Sequence, residues 1–271
     1  MPALARACHP APSLAVTAVA TGLAVSAGRT AVGVLTVAVA VLAGQLSVGW
    51  LNDLVDAPRD AEVGRAGKPV AAGEVSPATV RTAVFAAAAV AIGFSLPSGP
   101  LATVAHVAAL TSAWAYDLGV KATAFSVLPY SVSFGLLPAF VTLGLPGQPL
   151  PPAWLVGAAA SLGAAAHFVN VLPDLADDAA TGVRGLPHRL GAGASRLLSA
   201  ALVLVASVLL VLGPPGAPSA AGLMAVPAAA LILGIGLFRN RRPHSRAAFR
   251  AVLLVAVIDV VLLIRSGAPT G

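Results

Sequence analysis

The chain has 271 residues, of which 58% are hydrophobic and 10% are charged, with a formal net charge of +6. Its mean hydropathy is +0.91, which excludes an ordinary soluble domain and is typical of polytopic membrane proteins. The single cysteine, Cys8, excludes an intramolecular disulfide and a multi-cysteine metal site. The composition therefore predicts an all-α protein embedded in a lipid bilayer.

Nine stretches have the roughly 20 mostly apolar residues that a membrane-spanning helix needs. They lie near 12–28, 30–50, 79–97, 100–116, 124–144, 153–172, 193–213, 219–238 and 247–265. The first also fits a signal peptide, because Arg6 precedes its apolar core and small residues surround Ala27, but the eight later spans favour a retained helix. We predict one transmembrane domain over residues 1–271.

Basic residues between the spans predict the orientation. If the N-terminus is cytoplasmic, every Lys and Arg except Arg29 and Arg265 falls on the cytoplasmic side, including Arg239, Arg241, Arg242 and Arg246. We therefore predict an integral cell-membrane protein whose C-terminus lies on the opposite side. Positive charge that fixes topology also explains the high isoelectric point, so we predict no nucleic-acid partner, and no pattern indicates an obligate protein partner.

The first acidic cluster follows the second predicted span. Asn52–Asp60 reads NDLVDAPRD and places Asp53, Asp56 and Asp60 on one face if the backbone is helical. Carboxylates near a bilayer are costly and repel one another, and a divalent cation would relieve both penalties. The alternative is a solvated loop. Pro58 predicts that the helix begins, ends or kinks there.

The second acidic cluster follows the sixth predicted span, on the same predicted cytoplasmic side. Asp174, Asp177 and Asp178 also share a helical face, and Pro173 suits a helix start or a kink. Oxygen ligands without cysteine favour Mg²⁺ or Mn²⁺ over zinc, and Mg²⁺ leaves coordination positions open for phosphates. The two clusters therefore predict a shared metal site.

Basic residues near both clusters predict a diphosphate ligand, because Lys and Arg neutralise the phosphate charge that a metal leaves uncompensated. The alternative is that these cations only fix topology. We expect phosphate contacts from Arg65, Lys68, Lys121 and Arg189. The amides of Asn52 and Asn170 would orient ligands or bind phosphate.

Four segments resemble the UbiA superfamily of intramembrane prenyltransferases, the class that includes 4-hydroxybenzoate polyprenyltransferases. They are NDxxDxxxD at Asn52–Asp60, RxGKPVAAG at Arg65–Gly73, Tyr116–Lys121, and DxxDD with GLPHRLG within Asp174–Gly191. The resemblance implies a nine-helix bundle with a cytoplasm-facing cavity. It also implies Mg²⁺, an allylic prenyl diphosphate and a usually aromatic acceptor. Many members space the tyrosine and lysine as YxxxK, whereas four residues separate Tyr116 from Lys121.

The resemblance assigns catalytic roles to Asp53, Asp56, Asp60, Asp174 and Asp178, metal binding to these five and Asp177, and diphosphate binding to Asn52, Arg65, Lys68, Tyr116, Lys121, Asn170 and Arg189. Trp50, Trp114, Tyr116, Tyr130, Phe134 and Phe168 are candidates for the prenyl cavity, although helix packing or an interfacial anchor explains each of them better. His167 and His188 stay ambiguous, and Asp117 would pair with Lys121.

Two other functions fit the same residues. A terpene cyclase would use the same aspartates and need no acceptor. A cation-coupled transporter would also place acids in membrane helices, but it would be expected to hold them near the bilayer midplane rather than at helix ends beside phosphate-binding residues. The sequence leaves prenyl length, acceptor and oligomeric state open.

Overall fold

The computed structural model describes residues 2–65, 67–239 and 247–266, and every regular element within these ranges is helical. The α-helices are α1 Ala3–Ala7, α2 Pro10–Ser26, α3 Ala31–Glu62, α4 Pro77–Ser95, α5 Pro100–Asp117, α6 Leu128–Thr142, α7 Ala153–Val171, α8 Leu175–Ala180, α9 Leu186–Leu212, α10 Ala220–Arg239 and α11 Ala247–Ser266. Each predicted span overlaps one of them. Arg241, Arg242 and Arg246 lie outside the described residues.

Within the described residues, four helical stretches are long and apolar enough to cross a membrane: Ala31–Glu62, Pro77–Ser98, Ala153–Ala180 and Leu186–Leu212. Shorter apolar helices cover Pro10–Ser26, Leu128–Thr142, Ala220–Gly236 and Leu254–Leu263. These helices support an integral membrane protein. The count of nine spans and their orientation stay predictions.

The helices form a closed bundle, in which neighbours along the chain pack together and α11 returns to pack against α2. The main core cluster joins α2, α3, α5, α6, α7 and α11 around Val37, Val41, Phe140 and Val141. Small residues permit close approach of the helices. At Gly163 of α7, for example, a Cβ atom would meet the Tyr130 carbonyl and the Phe134 ring of α6. Close packing of α7 on α6 therefore positions the α7 end that leads into the second acidic cluster.

Both acidic clusters lie on helical backbone and not in solvated loops. Helix α3 neither begins nor ends at Pro58 but continues to Glu62. Proline removes a single helical hydrogen bond, and the long helix keeps its other bonds on both sides. After α7, a 3₁₀ turn at Leu172–Asp174 leads directly into α8. The carboxylates are therefore held by regular backbone.

Candidate active site

The three acids of α3 are buried on one face of the helix. Asp53, Asp56 and Asp60 are 1%, 8% and 3% exposed. Lys68 Nζ lies 3.6 Å from Asp53 Oδ1 and 3.6 Å from Asp60 Oδ2, and Asp56 pairs with the side chains of Lys121 and Arg59. Cations therefore compensate the charge that burial makes costly.

The loop after α3 folds back onto the helix and delivers Lys68. The Val70 N–H donates to Asp53 Oδ2 at 3.2 Å, and the Val70 side chain packs with Leu51, Val80 and Val84. This hydrogen bond and apolar contact hold residues 67–73 against α3. Lys68 thereby reaches the lining of the cavity.

Arg65 connects the two acidic clusters. Its Nη1 lies 3.2 Å from Asp60 Oδ1, and its Nη2 donates to Asp178 Oδ1 at 3.1 Å. The same Nη2 lies 3.9 Å from carboxylate oxygens of Asp174 and Asp177. Burial opposes the charge on Arg65, but Asp174, Asp178 and Asp60 together outweigh it and raise the pKa of the guanidinium. One fixed positive charge therefore joins Asp60 to Asp178, which lies 113 positions after Arg65 in the chain.

The second cluster is much more exposed than the first. The side chains of Asp174, Asp177 and Asp178 are 45%, 56% and 20% exposed. Asp178 also approaches His188, whose Nε2 lies 3.8 Å from Asp178 Oδ2. Helix α8, which carries Asp177 and Asp178, has only six residues.

A cavity of about 330 Å³ opens between the two clusters. Polar and charged residues line one end, including Asn52, Asp56, Lys68, Lys121 and Asp178. Apolar and aromatic residues line much of the rest, including Val48, Ala113, Pro129, Tyr130 and Phe134. The cavity can therefore accept a ligand with a charged head and an apolar body.

Aromatic rings form one wall of this cavity. Tyr116 contacts Tyr130 edge to face at 5.1 Å, and Tyr130 stacks on Phe134 at 6.4 Å between centroids. His167 packs against both tyrosines, and its Nε2 lies 3.0 Å from Ser126 Oγ. The other candidate aromatics do not line the cavity: Trp50 Nε1 donates to the Leu4 carbonyl, Trp114 packs against Phe85, and Phe168 is buried beside His167.

The structure brings most of the predicted site residues to the cavity surface: Asn52, Asp56, Arg65, Lys68, Tyr116, Lys121, Asn170, Asp174 and Asp178. Asp53 and Asp60 do not line it, because they lie buried against Lys68 and Arg65. Asp177 and Arg189 also lie outside the lining. Arg189 is exposed, and its Nε donates to the Arg184 carbonyl.

The expected pair between Asp117 and Lys121 is wrong. Lys121 pairs with Asp56 instead, and Asp117 Oδ1 accepts a hydrogen bond of 2.9 Å from Asn52 Nδ2. The 3₁₀ turn at Val120–Ala122 carries Lys121 toward α3. Sequence proximity alone therefore gave the wrong partner.

Several cavity residues were not singled out from the sequence, namely His9, Gln45, Arg59 and Ser133. Gln45 had a usable signal, because it is a polar residue in an apolar span and lies seven positions before Asn52, on the same helical face. Nothing in the sequence could have indicated His9, since a lone histidine before the first span forms no pattern. It enters the site only through the path of the chain between α1 and α2.

The carboxylates fit a hard divalent cation, although cations of the chain now lie between them. Among the described residues, no three Asp, Glu, His or Cys side chains stand close enough to hold a metal ion as they are placed. Asp53 Oδ1 and Asp60 Oδ2 are buried without a hydrogen-bond partner, and both face Lys68. Unpartnered carboxylate oxygens suit Mg²⁺, provided that Lys68 and Arg65 move aside.

Comparison with known proteins gives one consistent family. The sequence profile described as the UbiA prenyltransferase family matches residues 12–258. A search of curated proteins gives no match.

Several solved structures share the fold. A UbiA homologue from Archaeoglobus fulgidus bound to GPP and Mg²⁺ has a TM-score of 0.73 at 16% identity, with 98% of each chain covered. An apo UbiA homologue from Aeropyrum pernix K1 has a TM-score of 0.73 at 17% identity, covering 94% of this chain and 95% of that one. A structure of digeranylgeranylglyceryl phosphate synthase has a TM-score of 0.67 at 15% identity, with 98% of each covered.

Proposed function

The chain belongs to the UbiA prenyltransferase family, and we propose that it transfers a prenyl group from an allylic prenyl diphosphate to an aromatic acceptor, with release of diphosphate. The structural relatives that were solved with GPP or DMAPP and Mg²⁺ are consistent with this chemistry. At their low identity they support the fold alone. The assignment to this chain is therefore argued from its own residues.

The observation that carries the proposal is the position of Arg65. Its guanidinium contacts Asp60 of one cluster and Asp178 of the other, at the charged end of a cavity whose remainder is largely apolar and aromatic. An allylic diphosphate has the same division, because a polyanionic head is joined to a hydrocarbon tail. Arg65, Lys68 and Lys121 supply positive charge for the head.

We propose that Asp53, Asp56, Asp60, Asp174 and Asp178 hold Mg²⁺, with Asp177 at the periphery. When bound, the metal supplies Lewis-acid stabilisation of the negative charge on the diphosphate. The unpartnered oxygens of Asp53 and Asp60 support this assignment. Arg189 is left out of the proposed diphosphate site, because its side chain points away from the lining.

The chain's own residues would then act in three ways. Arg65, Lys68 and Lys121 stabilise the diphosphate as the allylic carbon–oxygen bond breaks and its electron pair leaves with the oxygen. The apolar walls keep water from the allylic cation. The faces of Tyr116, Tyr130 and Phe134 stabilise that cation until the acceptor forms the new bond and loses a proton.

The direct test is a pyrophosphate-release assay on the purified protein in lipid nanodiscs. We expect release from geranyl or dimethylallyl diphosphate with Mg²⁺ and an aromatic acceptor, and no release after chelation with EDTA. Prenylated acceptor in the products establishes transfer. Absence of release with every allylic diphosphate tested, with the protein folded, would overturn the proposal.

A second arm of the assay omits the acceptor. A cyclic hydrocarbon or alcohol formed from the diphosphate alone would replace the transferase with a terpene cyclase, since the same aspartates serve both reactions. Solute uptake into proteoliposomes without pyrophosphate release would instead indicate a transporter.

We also propose that the site faces the cytoplasm, as the loop charges indicate. Cysteine labelling checks the orientation: a cysteine introduced at Glu62 should react with a membrane-impermeant maleimide only in inverted vesicles. Labelling in right-side-out cells would reverse the topology.

A further inference from the structure

The cavity has a wall that none of the Asp-rich motifs supplies. Cys8, His9, Pro12 and Ser13, at the junction of α1 and α2, line it beside the charged end. Cys8 and His9 precede residue 12, where the match to the family profile begins, whereas Pro12 and Ser13 fall within it.

The junction is fixed in position by several contacts. Trp50 Nε1 of α3 donates to the Leu4 carbonyl at 2.8 Å, and Arg6 pairs with Glu74. Ser13 Oγ donates to the Cys8 carbonyl at 3.0 Å. Close approach to α3 is possible because residue 49 is glycine, where a Cβ atom would overlap the Cys8 carbonyl.

His9 turns its side chain toward Lys68. Its backbone is left-handed, with φ 53° and ψ 65°, and its side chain does not cap the helix that follows. The imidazole Nε2 lies 3.4 Å from Lys68 Nζ. An ammonium group can only donate, so Nε2 is the acceptor in this contact and the ring is neutral. Burial and the charge of Lys68 agree with this, since they lower the pKa of His9 to about 4.

A neutral hydrogen-bond acceptor matters because two carboxylates compete for the ammonium group of Lys68. Lys68 Nζ lies 3.6 Å from both Asp53 and Asp60, which are proposed to take Mg²⁺. When a metal occupies those carboxylates, Lys68 loses its counterions and needs another acceptor. Asn52 Oδ1, at 3.5 Å, and His9 Nε2, at 3.4 Å, are both neutral acceptors within reach. Neither cancels the lysine charge that a diphosphate requires.

We propose that His9 is a positioning residue that holds the Lys68 ammonium toward the diphosphate once Mg²⁺ occupies the acidic cluster. This inference rests on the proposed function, since it needs a metal-bound diphosphate at the site. It brings a segment outside the Asp-rich motifs into substrate binding. It also predicts that His9 acts through Lys68 and not on the reacting carbon.

The test replaces His9 without disturbing its backbone. His9→Gly removes the imidazole and tolerates positive φ, whereas His9→Asn also tolerates positive φ and retains an amide acceptor. Gln148 gives a matched control, because among the described residues it is the only other non-glycine with positive φ, at 49°. It lies outside the cavity lining, so Gln148→Gly should leave binding and turnover unchanged.

The measurement is the Kd of magnesium pyrophosphate by calorimetry on the protein in nanodiscs, which needs no knowledge of prenyl length. For His9→Gly we expect affinity to fall about tenfold, the effect of losing one hydrogen bond to a charged group. His9→Asn should recover part of it. In turnover, KM for the allylic diphosphate should rise while kcat stays within about twofold.

A double-mutant cycle with Lys68→Met separates positioning from general damage. If His9 acts through Lys68, then His9→Gly has no further effect in the Lys68→Met background. If the two losses add, or if His9→Gly binds magnesium pyrophosphate as tightly as the unsubstituted chain does, this inference is overturned and the proposed function is not. If the unsubstituted chain does not bind magnesium pyrophosphate, both the proposed function and this inference are overturned.

Discussion

The two acidic clusters carry the same residue type in opposite settings. The acids of α3 are almost fully buried, on a helix of 32 residues, and each has a cation beside it. The acids around α8 are 20–56% exposed, on a helix of six residues, and share Arg65 as their common partner. Burial makes the first set costly to alter, whereas exposure leaves the second free to adjust.

This difference separates two requirements of a metal–diphosphate site. A preorganised set of ligands needs a rigid support, and α3 provides it. A substrate must also enter and leave, which favours a short exposed element on the other side. The comparison therefore predicts equal importance for activity but unequal importance for stability.

The largest effect is expected from Asp53→Ala. It removes a proposed metal ligand, leaves Lys68 without one counterion and removes the acceptor for the Val70 N–H. We expect pyrophosphate release to fall by about 100-fold or more, and the free energy of unfolding to fall by about 3 kcal/mol. Chemical denaturation in detergent measures the second. Asp53→Asn keeps the acceptor for Val70 and is the control; full activity in either variant would contradict the metal assignment.

Asp174→Ala should reduce activity as much as Asp53→Ala does, but it should hardly change the free energy of unfolding. The side chain is 45% exposed, and its contact with Arg65 is a long one of 3.9 Å. We expect a similar loss of pyrophosphate release, with the free energy of unfolding within about 0.5 kcal/mol of the unsubstituted chain. A stability loss equal to that of Asp53→Ala would remove the contrast between the clusters.

Arg65→Lys tests the link between the clusters. A lysine keeps the charge, but its single ammonium cannot span two carboxylates as a guanidinium fork does. We expect the affinity for magnesium pyrophosphate to fall about tenfold, by calorimetry. Unchanged affinity would show that charge alone, and not the bridging geometry, serves the site.

Asp177→Ala should have the smallest effect of the series. Its side chain is 56% exposed, lies outside the cavity lining and approaches Arg65 only to 3.9 Å. We expect turnover within about threefold of the unsubstituted chain, as for a solvated ion pair. A loss as large as that of Asp174→Ala would make Asp177 a full ligand.

The sequence predicted which residues form this site better than it predicted which of them pair with one another. Helical spacing correctly placed Asp53, Asp56 and Asp60 on one face, because that depends only on local geometry. It could not show that Arg65 reaches Asp178, which depends on how α3 packs relative to α7. The contacts of Lys121 and His9 depend likewise on the path of connecting segments. Long-range contacts are set by packing, which no single stretch of sequence contains.

The bridging position of Arg65 has a consequence for the order of binding. A metal ion arriving alone must compete with a guanidinium already paired to Asp60 and Asp178, so its affinity should be weak. A diphosphate arriving with the metal gives Arg65 a new anion, which offsets the contacts that it gives up. Metal and diphosphate should therefore show positive thermodynamic linkage, each tightening the binding of the other by the same factor. The enzyme would then take up its metal together with its substrate.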